Sequence, residues 1–115
     1  MNDRTKPDET IVLYCIASRF LQVVALENAE AGVTCNCVGP GWMRTPLVEA
    51  QIVARAAASG RSIEDEAALL LAEKMPSKQF TDPSQVAEAI VFLCSDAAKN
   101  VTGSSFMMDG GWTTQ

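Results

Sequence analysis

The sequence has no histidine and only one tyrosine among its 115 residues. Without histidine, every Ser-His and Cys-His nucleophile pairing is excluded. Zinc loses one of its two usual donors as well. Four cysteines are present, Cys15, Cys35, Cys37 and Cys94, and no two stand in a C-x-x-C pair, so no metal site is expected. Any proton transfer rests on Tyr, Lys, Asp or Glu. No apolar run approaches the roughly 20 residues of a bilayer-spanning helix. The first ten residues are polar and lack the apolar core of a secretory signal, which gives a cytoplasmic expectation. No basic surplus exists either. The net charge of -5 speaks against nucleic acid or an anionic membrane as partner, since both need a basic face.

What is present is ordinary globular material, 48% hydrophobic and 20% charged. Residues 1–10 read as a polar N-terminal segment and residues 11–115 as one partial domain. Ile11 to Ala29 carries helical periodicity through Leu13, Ala17, Phe20, Leu21, Val24 and Leu26, and Gly32 stops it. A short β-branched stretch, Val33 to Val38, reads as a buried strand with Cys35 and Cys37 on one face. Pro40-Gly41 breaks it. Pro46 to Ala58 reads as a helix with Thr45 as N-cap, and Ile63 to Lys74 as another with an acidic first turn. Asp82 to Ser95 is a third, with Asp82 as N-cap, Pro83 at N1 and Gln85 completing a capping box. Its core stripe is Val86, Ala89, Ile90 and Leu93, which leaves Val91, Phe92 and Cys94 on other sides. Ser104 to Asp109 closes the chain as a strand before Gly110-Gly111.

Helices joining two short apolar strands are an α/β pattern, with the strands parallel and the crossover right-handed. Two such strands cannot cover their own faces. The expected fold is therefore the C-terminal portion of a Rossmann-like, doubly wound parallel sheet, two parallel strands with flanking helices.

Several motifs in order carry a resemblance. A strand with Asn36, then Pro40-Gly41, and Thr45 five residues past the proline resemble the short-chain dehydrogenase/reductase family. Trp42 after Pro-Gly, Leu47-Val48 with Gln51, and the closing Asp109-Gly110-Gly111-Trp112 resemble its bacterial 3-hydroxybutyrate dehydrogenase branch. On their own these residues read as a turn, an N-cap and a solvated helix face. The resemblance implies more. Pro40, Gly41, Trp42 and Met43 would line the nicotinamide of NAD, with the Met43 backbone on its carboxamide. Thr45 would donate to the cofactor pyrophosphate, a role suited to a helix N-terminus. Leu47, Gln51 and Trp112 would face a small hydroxy-acid substrate, beneath a mobile lid formed by residues 46–76.

The departures are equally specific. The family's Tyr-x-x-x-Lys pair falls where this chain offers Tyr14 and, four residues on, Ser18. Tyr14 reads first as helix packing. It becomes the catalytic hydroxyl only if four residues are skipped in the comparison. No Gly-rich phosphate fingerprint follows a strand, and the family's catalytic serine has no counterpart here. Two readings remain open. One is an NAD-dependent 3-hydroxybutyrate dehydrogenase by descent, converting 3-hydroxybutyrate to acetoacetate and incomplete as a lone chain. The other is a non-catalytic module that associates with itself or with a full-length relative, burying Phe92 and the last strand. The strand from Gly32 offers a free edge to such a partner. The lone chain is expected to bind NAD weakly or not at all; a micromolar dissociation constant in calorimetric titration would overturn this.

Overall fold

The structure, a computed structural model, describes residues 10–13 and 18–115. Strands β1 (Thr10–Leu13), β2 (Thr34–Pro40) and β3 (Ser105–Met108) alternate with helices α1 (Ser18–Asn28), α2 (Pro46–Ser59), α3 (Ile63–Lys74) and α4 (Pro83–Leu93). The sheet order is β1-β2-β3. β1 pairs in parallel with β2, from Thr10 opposite Thr34 to Leu13 opposite Cys37. β3 follows the same direction, because the bonds advance together: Gly103 N–H to the Cys35 carbonyl at 2.8 Å, then Cys37 N–H to the Ser104 carbonyl at 2.9 Å. This is the expected α/β fold, with β2 and β3 as the two anticipated parallel strands. Among the described residues no helix is long and apolar enough to cross a membrane.

Four expectations need correction. The single helix over Ile11 to Ala29 is instead β1 followed by α1, which ends in a 3-10 turn at Ala29–Ala31. Thr10-Ile11-Val12-Leu13 is dominated by β-branched residues, and pairing with β2 overrides a weak helical periodicity. The anticipated stripe on α1 also turns. Leu21 and Ala25 are buried while Phe20 and Leu26 face out. Finally, β1 occupies the edge of β2 expected to be free, and β3 alternates exposed and half-buried residues rather than burying both faces.

The chain divides into two compact units. The first runs to Gly39 and includes Ala87–Phe106. Leu21 and Ala25, one turn apart on α1, pack on Cys35 and Cys37, which alternate onto one face of β2. Burial pushes the Cys35 thiol pKa up, and neighbouring Cys37 adds to it. Asn36 points the other way and is fully buried. Its amide donates to the Val101 carbonyl at 2.8 Å and accepts from Ser104 N–H at 3.2 Å. On α4, Leu93 is buried while Val91 and Phe92 are 69% and 43% exposed, as the sequence stripe implied.

The second unit is Pro40–Val86 with Met107–Gln115. α2 buries Val48, Ile52 and Ala56 on one stripe, and α3 buries Ala67, Leu70 and Leu71. Val48, Ile52, Ala67 and Leu70 share one core with Trp42 and Phe80 against them. The Thr45 and Asp82 ends are capped as read from sequence. The Thr45 hydroxyl accepts from Val48 N–H at 3.4 Å. Gly60, at φ 75°, closes α2 in the left-handed conformation. Asp82 N–H donates to the Gln85 side chain at 3.0 Å, the reciprocal half of the capping box.

Asn36→Leu should destabilise the protein by about 1–3 kcal/mol, the cost of leaving buried backbone groups unpaired. Urea denaturation measures it, and an unchanged midpoint would show that Val101 and Ser104 find other partners.

Candidate functional site

The candidate cofactor-facing and substrate-facing residues all lie in the second unit. Tyr14 lies outside the described residues, and Ser18 opens α1. β2 ends at Pro40 and α2 begins at Pro46, so a short turn carries most of the candidate site. Gly41 N–H donates to the Met108 carbonyl at 3.1 Å. A Cβ on Gly41 would lie 2.8 Å from Met75 Cε and 2.9 Å from Asp109 Cα. The glycine is thus required by the protein's own packing, whatever ligand approaches it.

Trp42 is fixed on both sides of its peptide. Its N–H donates to Met75 Sδ at 3.1 Å, and its carbonyl accepts from Thr81 N–H at 2.8 Å. The Thr81 hydroxyl donates to the Met108 carbonyl at 2.6 Å. The Met43 carbonyl accepts from Thr45 N–H at 2.8 Å, which bends the chain toward α2. Thr45 has the extended N-cap conformation, with Pro46 in the first turn behind it.

The structure brings Trp42 and Trp112 together. Their rings stack at 6.3 Å between centroids and 25° between planes. Lys74 Nζ stands 5.8 Å from the Trp112 ring centroid. Leu47, 82% exposed, and Gln51, also exposed, stand one turn apart on the outer side of α2. Neither joins the hydrogen bonds that tie Trp42 to Met75 and Thr81.

Sequence reasoning missed two charged assemblies. Arg44 grips both helices that follow it. Its Nε donates to Glu49 in the first turn of α2 at 2.6 Å, and its NH2 donates to Glu64 in the first turn of α3 at 2.9 Å. The same guanidinium lies 5.9 Å from the Phe80 ring centroid. Glu66 is the second case, a buried carboxylate on α3. It accepts from the Ser59 hydroxyl at 2.6 Å, Arg61 at 3.2 Å and Arg55 at 3.3 Å. The Ser59 hydrogen bond holds its pKa below the usual carboxylate value against the opposing effect of burial, with help from Arg61 and Arg55. The only sequence signal was acid in the first turn of α3, which the helix dipole already accounts for.

Met75 was also missed, and Asp109, quoted only as part of the closing motif, was given no role of its own. Asp109 is buried, and its carboxylate accepts from Gly111 N–H at 3.1 Å and Thr113 N–H at 3.0 Å. Burial pushes its pKa up, but the hydrogen bonds from Thr113 and Gly111 outweigh that and hold it below the ordinary value. Among the described residues no group of His, Cys, Asp or Glu could hold a metal ion.

Three observations bear on whether a nicotinamide dinucleotide fits this turn. The Thr45 hydroxyl accepts from Val48 N–H and keeps its own proton to donate. It stands at the N-terminus of a helix of 14 residues, where backbone N–H groups favour phosphate oxygens. Trp42 Nε1 is buried with no acceptor among the described residues. The residues fit the group.

Known proteins resemble the chain. The family described as enoyl-(acyl carrier protein) reductase matches residues 17–113. The D-beta-hydroxybutyrate dehydrogenase of Cupriavidus necator is 47% identical over 96 residues, covering 84% of this chain and 37% of the relative. That of Rhizobium meliloti is 43% identical over 94 residues, covering 82% of this chain and 36% of the relative. The chain thus spans little more than a third of these relatives, in their C-terminal part. A short chain dehydrogenase family protein from Francisella tularensis superposes with a TM-score of 0.83 at 27% identity, over 96% of this chain and 53% of that one. L-sorbose reductase from Gluconobacter frateurii, solved with NADPH and L-sorbose, superposes at 0.78 and 28% identity, over 85% and 37%.

Two measurements test the site's construction. Gly41→Ala should cost about 1–3 kcal/mol through overpacking against Met75 and the Asp109 backbone, read by denaturation. The depressed Glu66 and Asp109 carboxyls contribute stability that is complete above about pH 5 and lost progressively as pH falls below it. Glu66→Gln should therefore flatten the acid limb of the stability curve. An acid limb identical to that of the unaltered chain would remove Glu66 from the account.

Proposed function

Because this chain belongs to the short-chain dehydrogenase/reductase family, we propose that it forms the nicotinamide-facing and substrate-facing part of an NAD-dependent 3-hydroxybutyrate dehydrogenase. The observation that carries the reading is the turn from Pro40 to Thr45, built against Met75 and Asp109 with the stacked indoles of Trp42 and Trp112 beside it. Bound there, NAD would supply the hydride acceptor for oxidising the secondary alcohol of 3-hydroxybutyrate to the ketone of acetoacetate.

The chain's residues bind and orient. Pro40, Gly41 and Trp42 flank the nicotinamide and exclude water from it. The Met43 backbone holds the carboxamide. Thr45 donates its free hydroxyl proton to the pyrophosphate in front of α2. Gln51 donates its amide to the substrate carboxylate, and Leu47 and Trp112 wall its apolar end. The alcohol proton needs a base. Tyr14 is the chain's only tyrosine, with Ser18 where the family's lysine belongs. Without that lysine the pair that moves the proton in the family is incomplete in this sequence. In this reading a fingerprint-bearing chain supplies the proton-transfer set and the phosphate cradle.

The test mixes this chain with a separately expressed amino-terminal portion of a D-beta-hydroxybutyrate dehydrogenase, then adds NAD and 3-hydroxybutyrate. No NADH should form with either part alone. The mixture should form it at a rate that Thr45→Ala lowers about tenfold or more, since a hydrogen bond to a charged group contributes about 1.5–3 kcal/mol. A mixture without activity counts against the reading. Activity of the lone chain that Tyr14→Phe abolishes would instead make Tyr14 catalytic.

A second reading, as an association module, is favoured by one observation. Phe92 and Val91 stand exposed on α4, with the Phe92 ring 6.4 Å from that of Phe106. Exposed apolar area costs about 25 cal/mol per Å², which a second copy or a full-length relative would relieve. Sedimentation should show an oligomer that Phe92→Asp disperses; a monomer unchanged by that substitution rules this reading out.

A further inference from the structure

The carboxylate of Asp109 has no part in the reading above, yet it is buried and bonded through both oxygens. It is 6% exposed and sits where β3 gives way to the C-terminal turn. Its two oxygens do separate work: Oδ1 accepts from Gly111 N–H at 3.1 Å and Oδ2 from Thr113 N–H at 3.0 Å. Its own carbonyl accepts from Trp112 N–H at 3.2 Å. Three consecutive N–H groups around Trp112 are thus tied to one residue.

The turn has little freedom to vary. Gly110 and Gly111 have φ values of 61° and 95°, a region that strains other residues. A Cβ on Gly110 would also lie 2.1 Å from Ser77 Oγ and 3.1 Å from Met75 Cε. Ser77 N–H donates to the Gly110 carbonyl at 3.0 Å. What this turn delivers is Trp112, half out of the solvent and stacked on Trp42. Gln115 adds a clasp, its amide donating to the Lys74 carbonyl at 3.0 Å. These last contacts are exposed, and exposed contacts of long side chains contribute little. Asp109 is the buried anchor.

We propose that Asp109 is the positioning residue for Trp112: its carboxylate bridges two N–H groups of the C-terminal turn, seats one indole on the other, and so builds the apolar wall for the short chain of a hydroxy acid. The substrate half of this statement rests on the dehydrogenase reading; the positioning half does not. The requirement is for a carboxylate specifically. Asparagine has the same shape but presents one acceptor and one donor. It can satisfy only one of the two N–H groups and turns a donor toward the other.

The test uses the full chain and the fact that its only two tryptophans are this pair. Stacked indoles give an exciton couplet in circular dichroism, and Trp112→Phe sets the level without it. Asp109→Asn should fall to that level while the amide bands stay unchanged, a result that general destabilisation does not produce. A couplet retained in Asp109→Asn overturns the proposal. Should Asp109→Asn fail to fold, amide exchange in the unaltered chain decides: slow exchange at Gly111 and Thr113 supports the bridge, and exchange at the free-peptide rate overturns it. 3-Hydroxybutyrate itself is the ligand probe. Saturable quenching of indole emission in the unaltered chain, lost in Asp109→Asn, supports the substrate half. If the couplet depends on Asp109 but 3-hydroxybutyrate never quenches, the positioning role stands and the hydroxybutyrate reading fails.

Discussion

The second unit depends on one steric constraint, the approach of Gly41 to Met75 and to the backbone of Asp109. At 2.9 Å from a would-be Cβ to a neighbouring Cα, only hydrogen fits at position 41. Because backbone meets backbone there, no side-chain adjustment can relieve a larger residue. The turn after β2 and the turn after β3 are thereby held at one separation. Met75 fills the same contact and takes up Trp42 N–H through its sulfur. A flexible thioether suits a gap bounded by two backbones and an indole.

Charge is arranged around that contact as ties between α2, α3 and the turn before them. Arg44 reaches the first turn of each helix, so its two carboxylates also stand where the helix dipoles favour them. Glu66 works from inside, a buried carboxylate paired with Arg55 and Arg61 nearer the surface. Exposed ion pairs contribute little singly. A buried carboxylate with three donors differs, since removing any donor leaves part of its charge uncompensated.

Local chemistry was legible in the sequence, and encounters between distant residues were not. The bounds of α3, the Thr45 and Asp82 ends, the outward Phe92 and the paired burial of Cys35 and Cys37 all follow from spacing and capping within a few residues. β1 was misread because its four residues take their conformation from a partner strand 24 positions away in register. The turn from Pro40 to Thr45 was recognisable as a motif. Its reason was not: Gly41 is small because of Met75 and Asp109, which no local pattern links to it. Arg44 lay inside that motif, but its partners Glu49 and Glu64 looked like ordinary first-turn acids. Trp112 and Asp109 both stood in the closing motif, but no local pattern showed that the carboxylate would hold the N–H groups on either side of Trp112.

Asn36 carries a consequence for how the sheet finds its pairing. Its partners, Val101 and Ser104, lie 65 and 68 residues away along the chain. Backbone ladders are nearly indifferent to register, and a slip of one residue turns every side chain to the opposite face. Here such a slip would bring a cysteine to the place of the amide. The Val101 carbonyl and Ser104 N–H would then be buried without partners, and the amide would be lodged among Leu21 and Ala25. Both errors cost more than the apolar contacts of a shifted strand return. A single neutral side chain therefore disfavours mispaired sheets, so this long-range contact of the first unit forms in one alignment.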